Sequence, residues 1–280
     1  MTIIKTLRLG AFDITWLDGG SFELDGGTMF GPVPKTVWEK RIPPDSGNNI
    51  FLVASPMLVR TGRNNVVIDT GIGNKLTEKQ LKIHGIRDRW DLPASLRKHG
   101  IAAEEIDIVI LTHCDYDHSG GLLTEKDGGI VPTFPNARIV MQRIEWEDVN
   151  HPNRRSAHTF WEINFRGLAE SGKLDLVEGE KEIVPGISVR HTGGHNRGHQ
   201  MFRIESMGET AYHLGDLLPS HAHFNPLWVM SYDNYPMDVI EQKKKLEKEA
   251  MDENAWFLFY HDPKIRACRF GEKGVLLEKI

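Results

Sequence analysis

Residues 111–121 are Leu-Thr-His-Cys-Asp-Tyr-Asp-His-Ser-Gly-Gly, a stretch that places four potential metal ligands within six residues. A β-branched run over residues 106–111 precedes the ligands and predicts a buried strand, and the Ser-Gly-Gly turn closes the loop behind them. Imidazoles and carboxylates are costly to bury unless they are paired or bound to a cation. The stretch therefore predicts a site for two divalent ions at the C-terminal end of a strand. The alternative is a solvated acidic loop that contains two histidines by coincidence.

The composition is that of an ordinary globular protein, with 40% hydrophobic and 26% charged residues in a chain of 280. We predict one domain, residues 1–280, because α/β domains of this length are common. The net charge of −5 argues against nucleic acid or an anionic membrane as the main partner, so we expect a small-molecule substrate. The composition leaves a homodimer open.

The beginning of the chain alternates apolar and polar residues and lacks the apolar core of a signal peptide. No apolar run approaches the ~18 residues that a membrane helix needs. The two cysteines, Cys114 and Cys268, are too few for a disulfide framework, which is typical of a reducing compartment. Together these features predict a cytoplasmic protein.

The N-terminal region contains two segments of different character. Residues 3–17 alternate like a strand, whereas residues 19–38 mix glycine and proline with aromatic side chains. The glycines and prolines argue against a regular helix or a central strand, so the second segment is predicted to be a long apolar loop. We expect this loop to form a wall of the substrate pocket or a dimer contact, with a packing role as the alternative.

The remainder of the chain is predicted to alternate between strands and helices. The predicted elements are a hairpin ending at Asp69, one or two helices over 76–99, a strand over 137–141, helical or irregular structure over 143–171, a strand over 183–189, a hairpin over 201–214, a helix over 238–252 and a buried strand over 256–260. The lysine run of the helix over 238–252 is expected on a solvated face.

Potential metal ligands recur where predicted strands end. The cluster at 113–118 follows one strand, His195 follows a second, Asp216 follows a hairpin, and His261 follows the last buried strand. The loops beyond the carboxyl ends of strands are where α/β folds build their sites. We therefore expect these separated segments to converge on one edge, as a binuclear metal site requires.

The order of these ligands resembles that of metallo-β-lactamase-fold hydrolases, which is His-x-x-x-Asp-His, then Thr-Gly-Gly-His, then Gly-Asp, then a late strand ending in His. The resemblance narrows to bacterial quorum-quenching N-acyl-homoserine lactonases through residues 25–35, the Ile-Asp-Thr-Gly turn at 68–71 and Phe-Tyr-His-Asp at 259–262. It implies an α/β fold, the four-layer αββα sandwich of the metallo-β-lactamase type, with the site at the edge between its two halves.

The resemblance also implies which residues hold two divalent metal ions. The implied ligands are His113, Asp115 and His195 for metal one, Asp117, His118 and His261 for metal two, and Asp216 as the bridge between them. Zinc is the implied metal, with manganese or iron as alternatives. A hydroxide that bridges the ions would open the lactone, and Asp117 would pass a proton to the leaving alkoxide. Asp117 and Asp216 are therefore the implied catalytic residues.

One position departs from the pattern that the family usually shows, which is His-x-His-x-Asp-His. The third position is Asp115 instead of a histidine. A carboxylate is a harder ligand than an imidazole and adds a negative charge, which favours manganese or iron relative to zinc, or weakens metal one. We expect a two-metal site in which Asp115 is bound.

Several neighbouring residues are expected to support the site. Asp69 resembles the family's buried carboxylate that braces the metal loops. His191 and His199 are expected to form hydrogen bonds with the backbone, and Cys114 is expected to point away from the ions. Some lactonases hold the substrate carbonyl with a tyrosine where this chain has Leu-Leu-Pro at 217–219, so another group or the metals must take that task.

The predicted substrate contacts are apolar and imidazole side chains near the expected pocket. They are Met29, Phe30, Trp38, His221, His223 and Trp228. Two other functions stay open. The same hydroxide would attack a different ester, a thioester or a phosphotriester. Alternatively, a weakened first metal site would leave a non-catalytic protein that binds a signal molecule.

Overall fold

The computed structural model describes residues 6–280 and contains two seven-stranded sheets. Strands are numbered in the order in which they occur along the chain. From one edge of the first sheet to the other, the strands are β1 (Thr6–Leu9), β2 (Phe12–Trp16), β5 (Met57–Arg60), β6 (Asn65–Ile68), β7 (Ile108–Ile110), β10 (Arg138–Gln142) and β11 (Leu174–Val177). Four neighbouring strands, β6, β7, β10 and β11, run parallel to one another, so their carboxyl ends lie at the same edge of the sheet.

The strands of the second sheet are neighbours in chain order. They are β12 (Glu180–Val184), β13 (Ile187–His191), β14 (Gln200–Ser206), β15 (Glu209–His213), β16 (Trp256–Leu258), β17 (Ala267–Phe270) and β18 (Leu276–Lys279). Only β15 and β16 pair in parallel within this sheet. Two small hairpins complete the strands, namely β3 (Ser21–Asp25) with β4 (Asn49–Val53) and β8 (Leu123–Lys126) with β9 (Gly129–Pro132).

The helices lie outside the two sheets. They are α1 (Gly26–Phe30), α2 (Lys35–Trp38), α3 (Glu78–Ile83), α4 (Leu92–Lys98), α5 (Tyr116–Ser119), α6 (Arg143–Asn150) and α7 (Pro236–Asp252). Within residues 6–280, none of them combines the length and the apolar character that crossing a bilayer requires.

Three apolar cores define the layers. The central core joins the facing sides of both sheets, with Ile68 from the first and Phe202 from the second. A second core packs the outer side of the first sheet against helices such as α4, through Leu96. A third packs the second sheet against α7, through Leu246. The order helix, sheet, sheet, helix confirms the predicted αββα sandwich, and the shared central core ties its halves together.

The segment predicted to be a long apolar loop is partly regular, so that prediction is wrong. It contains β3, α1 and α2. Asp25 caps α1 by accepting a hydrogen bond from the Thr28 N–H at 3.0 Å. The ring of Trp38 fills the space where Gly26 would carry a Cβ, so this glycine permits close packing instead of interrupting the fold.

Two predicted strands are hairpins instead. Residues 3–5 lie outside the described residues, and the rest of the strand predicted over 3–17 forms β1 and β2, which turn at Gly10 with a φ of 56°. The strand predicted over 183–189 is split between β12 and β13 by Pro185 and Gly186, whose φ is 85°. The hairpin β8–β9 and strand β11 were not predicted.

The long helix α7 confirms the predicted helix, and Lys244, Lys245 and Lys248 are exposed as predicted, whereas Lys243 is buried. Lys243 has an exposed fraction of 0%. Its ammonium donates hydrogen bonds to the carbonyl oxygens of His223, Asn225 and Trp228, at 2.5, 3.1 and 3.0 Å. A buried cation needs such partners, and a helical periodicity alone does not reveal that a loop will supply them.

Candidate metal centre

Strand ends bring the predicted ligands to one edge of the sandwich. The loop after β7 and helix α5 carry four of them, and the loops after β13, β15 and β16 carry the other three. They are His113, Asp115, Asp117, His118, His195, Asp216 and His261. The carbonyl of Asp115 accepts hydrogen bonds from the N–H groups of His118 at 3.0 Å and Ser119 at 2.9 Å. This tight turn sets the spacing of the first four ligands.

One group of donors surrounds Asp115. Its Oδ2 lies 3.3 Å from Nε2 of His195 and 3.6 Å from Nε2 of His113. Its other oxygen, Oδ1, accepts a hydrogen bond from the Asn196 amide at 3.1 Å. The three side chains can each offer one atom to a single cation. Asn196 thereby leaves Oδ2 of Asp115 as the oxygen that faces the two imidazoles.

A second group lies beside the first. Nε2 of His118 and Nε2 of His261 are 3.1 Å apart, and Oδ2 of Asp117 lies 4.0 and 3.8 Å from them, respectively. Asp216 lies between the groups, with Oδ1 at 3.3 and 3.2 Å from these two imidazoles and Oδ2 at 3.6 Å from His195. The structure therefore brings all seven predicted ligands together, with Asp216 in the bridging position.

The outer nitrogens of three histidines have hydrogen-bond acceptors that set the tautomer. Nδ1 of His118 lies 2.9 Å from Oδ2 of Asp69, and Nδ1 of His261 lies 2.9 Å from the Val53 carbonyl. Nδ1 of His195 lies 2.8 Å from Oδ1 of Asp233. A proton on each Nδ1 leaves a lone pair on each Nε2, as in metal-ligating histidines.

These donors fit a pair of divalent cations. Two Nε2 lone pairs 3.1 Å apart on His118 and His261 repel each other unless a cation lies between them. Nε2 of His113 and Oδ1 of Asp216 are buried and have no hydrogen-bond partner in the described part of the chain. Buried polar atoms without partners are unfavourable. Imidazole and carboxylate ligands suit zinc, manganese and iron.

The carboxylates at the centre are ionised. Burial opposes ionisation of Asp216, but His261 and His118 outweigh burial and hold the pKa of this carboxyl well below its usual range. Burial likewise opposes ionisation of Asp115, but the adjacent imidazoles of His113 and His195 outweigh burial and hold the pKa of this carboxyl well below its usual range. The centre thus presents negative charge to a cation.

Two buried carboxylates that sequence reasoning missed hold the ligand loops. Asp233 orients His195, and the Glu145 carboxylate accepts hydrogen bonds from the N–H groups of Cys114 at 2.8 Å and Gly198 at 3.0 Å. Burial raises the pKa of Glu145 to about 8. Neither acid lies in a recognisable motif, so the sequence contains no local signal for them.

The supporting residues that were predicted behave as expected. Asp69 is fully buried and braces the 112–118 loop. His191 and His199 form hydrogen bonds with the backbone, the first with the Arg197 carbonyl at 2.7 Å and the second with the Asp216 N–H at 3.2 Å. The thiol of Cys114 is buried against Met141, and burial raises its pKa well above the usual value.

A cavity of about 120 Å³ opens onto the metal centre. Its lining combines ligands with apolar and aromatic side chains. The lining residues are Phe22, Leu24, Met29, Leu52, His84, Asp115, Tyr116, Asp117, Thr159, His195, Asp216, Met230, Tyr232 and His261. Of the predicted substrate contacts, only Met29 lines this cavity.

The other predicted substrate contacts do not line this cavity, which corrects their expected position. Phe30 stacks on Trp38 and on His223, with ring centroids 5.0 and 4.5 Å away, and Trp228 meets its edge at 5.8 Å. His221 is paired with Asp262. Phe30, Trp38 and His223 are buried by packing, whereas His221 and Trp228 line a different cavity, and a linear pattern does not reveal either arrangement.

The cavity also contains tyrosines that were not predicted. The ring of Tyr116, between two ligands in the chain, stacks on Trp161 with centroids 4.5 Å apart, and His84 lies 4.5 Å away. The hydroxyl of Tyr232 lies 2.9 Å from the Thr28 hydroxyl. Among the described residues, no hydrogen-bond partner occupies the Tyr116 hydroxyl, so it is free to contact a ligand in the cavity.

A sequence model of the metallo-β-lactamase superfamily matches residues 50–261. An N-acyl homoserine lactonase from a Bacillus species is 28% identical over 153 residues, which cover 54% of this chain and 54% of that protein. The chain therefore matches about half the length of this curated relative.

Solved structures share the fold over nearly the whole chain. A probable metal-dependent hydrolase from Staphylococcus aureus superposes with a TM-score of 0.93 and 39% identity, covering 98% of each chain. A dizinc quorum-quenching lactonase in complex with a product, N-hexanoyl-L-homoserine, superposes with a TM-score of 0.79 and 23% identity. The second comparison covers 99% of this chain and 96% of the other, and it shows a common fold.

Proposed function

This chain belongs to the metallo-β-lactamase superfamily, and we propose that it is a dinuclear metal-dependent hydrolase that opens the lactone ring of N-acyl-homoserine lactones. The convergence of four imidazoles and three carboxylates from separate loops supports the hydrolase most directly. The names of the Bacillus relative and of the product-bound structure support the substrate class.

Two side chains have distinct proposed roles in the reaction. A divalent pair bound here supplies a water whose pKa is lowered to about 7 and polarises the substrate carbonyl. Asp216, with one oxygen toward each group of ligands, would be the residue that helps to hold both cations. Asp117 lies at the cavity wall and is placed to pass a proton to the alkoxide when the ring C–O bond breaks.

The cavity supports an acylated lactone as the substrate. Phe22, Leu24, Met29 and Leu52 provide an apolar side for the start of the acyl chain. Since a cavity of ~150 Å³ holds benzene, a cavity of about 120 Å³ suits the lactone ring, and a longer chain must lie along the open rim. The free Tyr116 hydroxyl is our candidate for donating a hydrogen bond to the substrate carbonyl.

We propose that the first metal position prefers harder cations than the histidine-richer position of the family's usual pattern. Each position here offers two imidazoles and one carboxylate, from His113, His195 and Asp115 at the first and from His118, His261 and Asp117 at the second. At the first position, Asp115 contributes an oxygen donor that Asn196 holds in place, which favours manganese or iron relative to the usual histidine.

We also propose that the chain is a single domain, because residues of both sheets share the central core. A homodimer and a cytoplasmic location stay predictions of the sequence analysis.

Metal analysis and a substrate panel test the proposed function. Protein loaded separately with zinc, manganese and iron should bind two ions per chain and hydrolyse homoserine lactones in preference to aryl esters, thioesters and phosphotriesters. One ion per chain at saturation would contradict the binuclear site. Faster turnover of another substrate class would move the assignment to that class, and tight lactone binding without turnover would indicate a signal-binding protein.

A further inference from the structure

A second cavity, of about 370 Å³, lies apart from the metal centre and shares no lining residue with the first. Basic and aromatic side chains dominate its wall. The lining residues are Arg41, His221, Ala222, Phe224, Asn225, Pro226, Trp228, Lys273 and Gly274. No carboxylate lines it, although the chain as a whole has a net charge of −5.

The two permanent cations of this wall are available to a ligand. Arg41 and Lys273 are absent from the ion pairs formed within residues 6–280. Lys273 has a φ of 55°, a left-handed conformation that is unfavourable for a lysine. The neighbouring Gly274 packs so closely on Phe224 that a Cβ would overlap the ring. The turn therefore fixes the backbone of Lys273, whose exposed side chain lines the cavity.

The histidine of the wall is held in place from behind. Asp262 is buried, and its Oδ2 contacts Nδ1 of His221 and accepts a hydrogen bond from the His221 N–H at 3.1 Å. Its Oδ1 accepts hydrogen bonds from the N–H groups of Lys264 and Ile265, both at 2.9 Å. A carboxylate with its acceptors occupied in this way fixes the imidazole and leaves Nε2 of His221 for a ligand.

The buried ammonium of Lys243 organises the same wall. It donates hydrogen bonds to three carbonyl oxygens of the segment that runs from His223 to Trp228. These contacts order the loop that presents Phe224 and Trp228 to the cavity, and they add a fixed positive charge behind it. The function proposed for the metal centre makes no use of this arrangement.

We propose that the second cavity binds a small organic anion, a carboxylate or a phosphate attached to a flat apolar body. Arg41 and Lys273 bind the anionic oxygens, since a guanidinium and an ammonium are the usual partners of both groups. Trp228 and Phe224 contact the apolar body, because aromatic walls bury flat groups well. Nε2 of His221 forms an additional hydrogen bond with the ligand.

Titration of the metal-loaded protein at low salt with phenylphosphonate, benzoate and inorganic phosphate tests this site. Trp228 lies in the cavity wall, so its fluorescence should change saturably, and the change should be lost in Trp228→Phe. Arg41→Gln with Lys273→Gln should weaken binding about a hundredfold, at about tenfold for each charge-assisted contact. Comparing phenylphosphonate with benzoate separates phosphate from carboxylate ligands.

A charge-matched control is Arg63→Gln with Lys79→Gln, two exposed residues that do not line the cavity. This control should bind like the wild type, and lactone hydrolysis should be unchanged in both double variants. Wild-type affinity in the Arg41 and Lys273 variant would overturn the proposal. So would equal binding of benzyl alcohol, a neutral analogue, or the absence of a saturable Trp228 signal with every anion.

Discussion

Asp69→Asn tests whether the carboxylate behind the metal centre sets the tautomer of His118. Asp69 accepts hydrogen bonds from the Thr112 N–H at 2.7 Å, from the Thr112 hydroxyl at 2.8 Å and from Nδ1 of His118 at 2.9 Å. Its φ is 56°, a conformation that asparagine adopts readily. The substitution therefore changes the hydrogen bonds without straining the backbone.

The structure predicts two consequences. An asparagine oxygen directed to the Thr112 N–H places its NH₂ group against His118, so Nδ1 must accept and the proton moves to Nε2. That proton occupies the lone pair that faces the second metal position. Loss of such a hydrogen-bond partner behind a metal-binding histidine lowers metal affinity about 10- to 100-fold. Replacing two hydrogen bonds to a charged acceptor with two to a neutral amide also lowers the free energy of unfolding by about 2 kcal/mol.

Competition against a chromophoric chelator measures the affinity for the second metal equivalent, and urea denaturation measures stability. Asp91→Asn is the control, because Asp91 is an exposed carboxylate that caps α4 and asparagine caps equally well. Wild-type affinity for the second equivalent in Asp69→Asn would refute the proposed tautomer control. A fall in stability with unchanged metal affinity would leave Asp69 a purely structural role.

Three further outcomes follow from single side chains. Asp115→His exchanges an oxygen donor for nitrogen, so the zinc-to-manganese ratio bound in mixed loading should rise; an unchanged ratio by elemental analysis contradicts the preference proposed for Asp115. Tyr116→Phe should lower kcat/KM for lactones about tenfold, and more than Tyr232→Phe, while thermal stability is kept; equal effects contradict the role of its hydroxyl. Burial lowers the pKa of Lys243 from 10.5 to about 8. Between these two pH values the unfolded state binds more protons than the folded state, so the contribution of Lys243 to the free energy of unfolding rises with pH. Lys243→Met should lower the slope of the free energy of unfolding against pH between about 8 and 10.5 in urea denaturation, and an unchanged slope contradicts it.

Local patterns were sufficient for the ligand order and most of the regular elements. The 111–121 stretch and the later ligands at strand ends follow from the residues themselves, and the resemblance to a known family implied the αββα architecture. Periodicity also located α7 and the β14–β15 hairpin. These features can be predicted because a strand or helix pattern, and the spacing of the ligands that follow it, are properties of consecutive residues.

Contacts between distant segments decided the rest. Met29 faces the cavity whereas Phe30, its neighbour, packs against other aromatic rings. Asp233 and Glu145 reach the ligand loops from remote positions in the chain, and Lys243 is buried because loop carbonyls surround its ammonium. A side chain's partner across the fold depends on how the layers pack, and that three-dimensional arrangement leaves no periodic trace in the order of the residues.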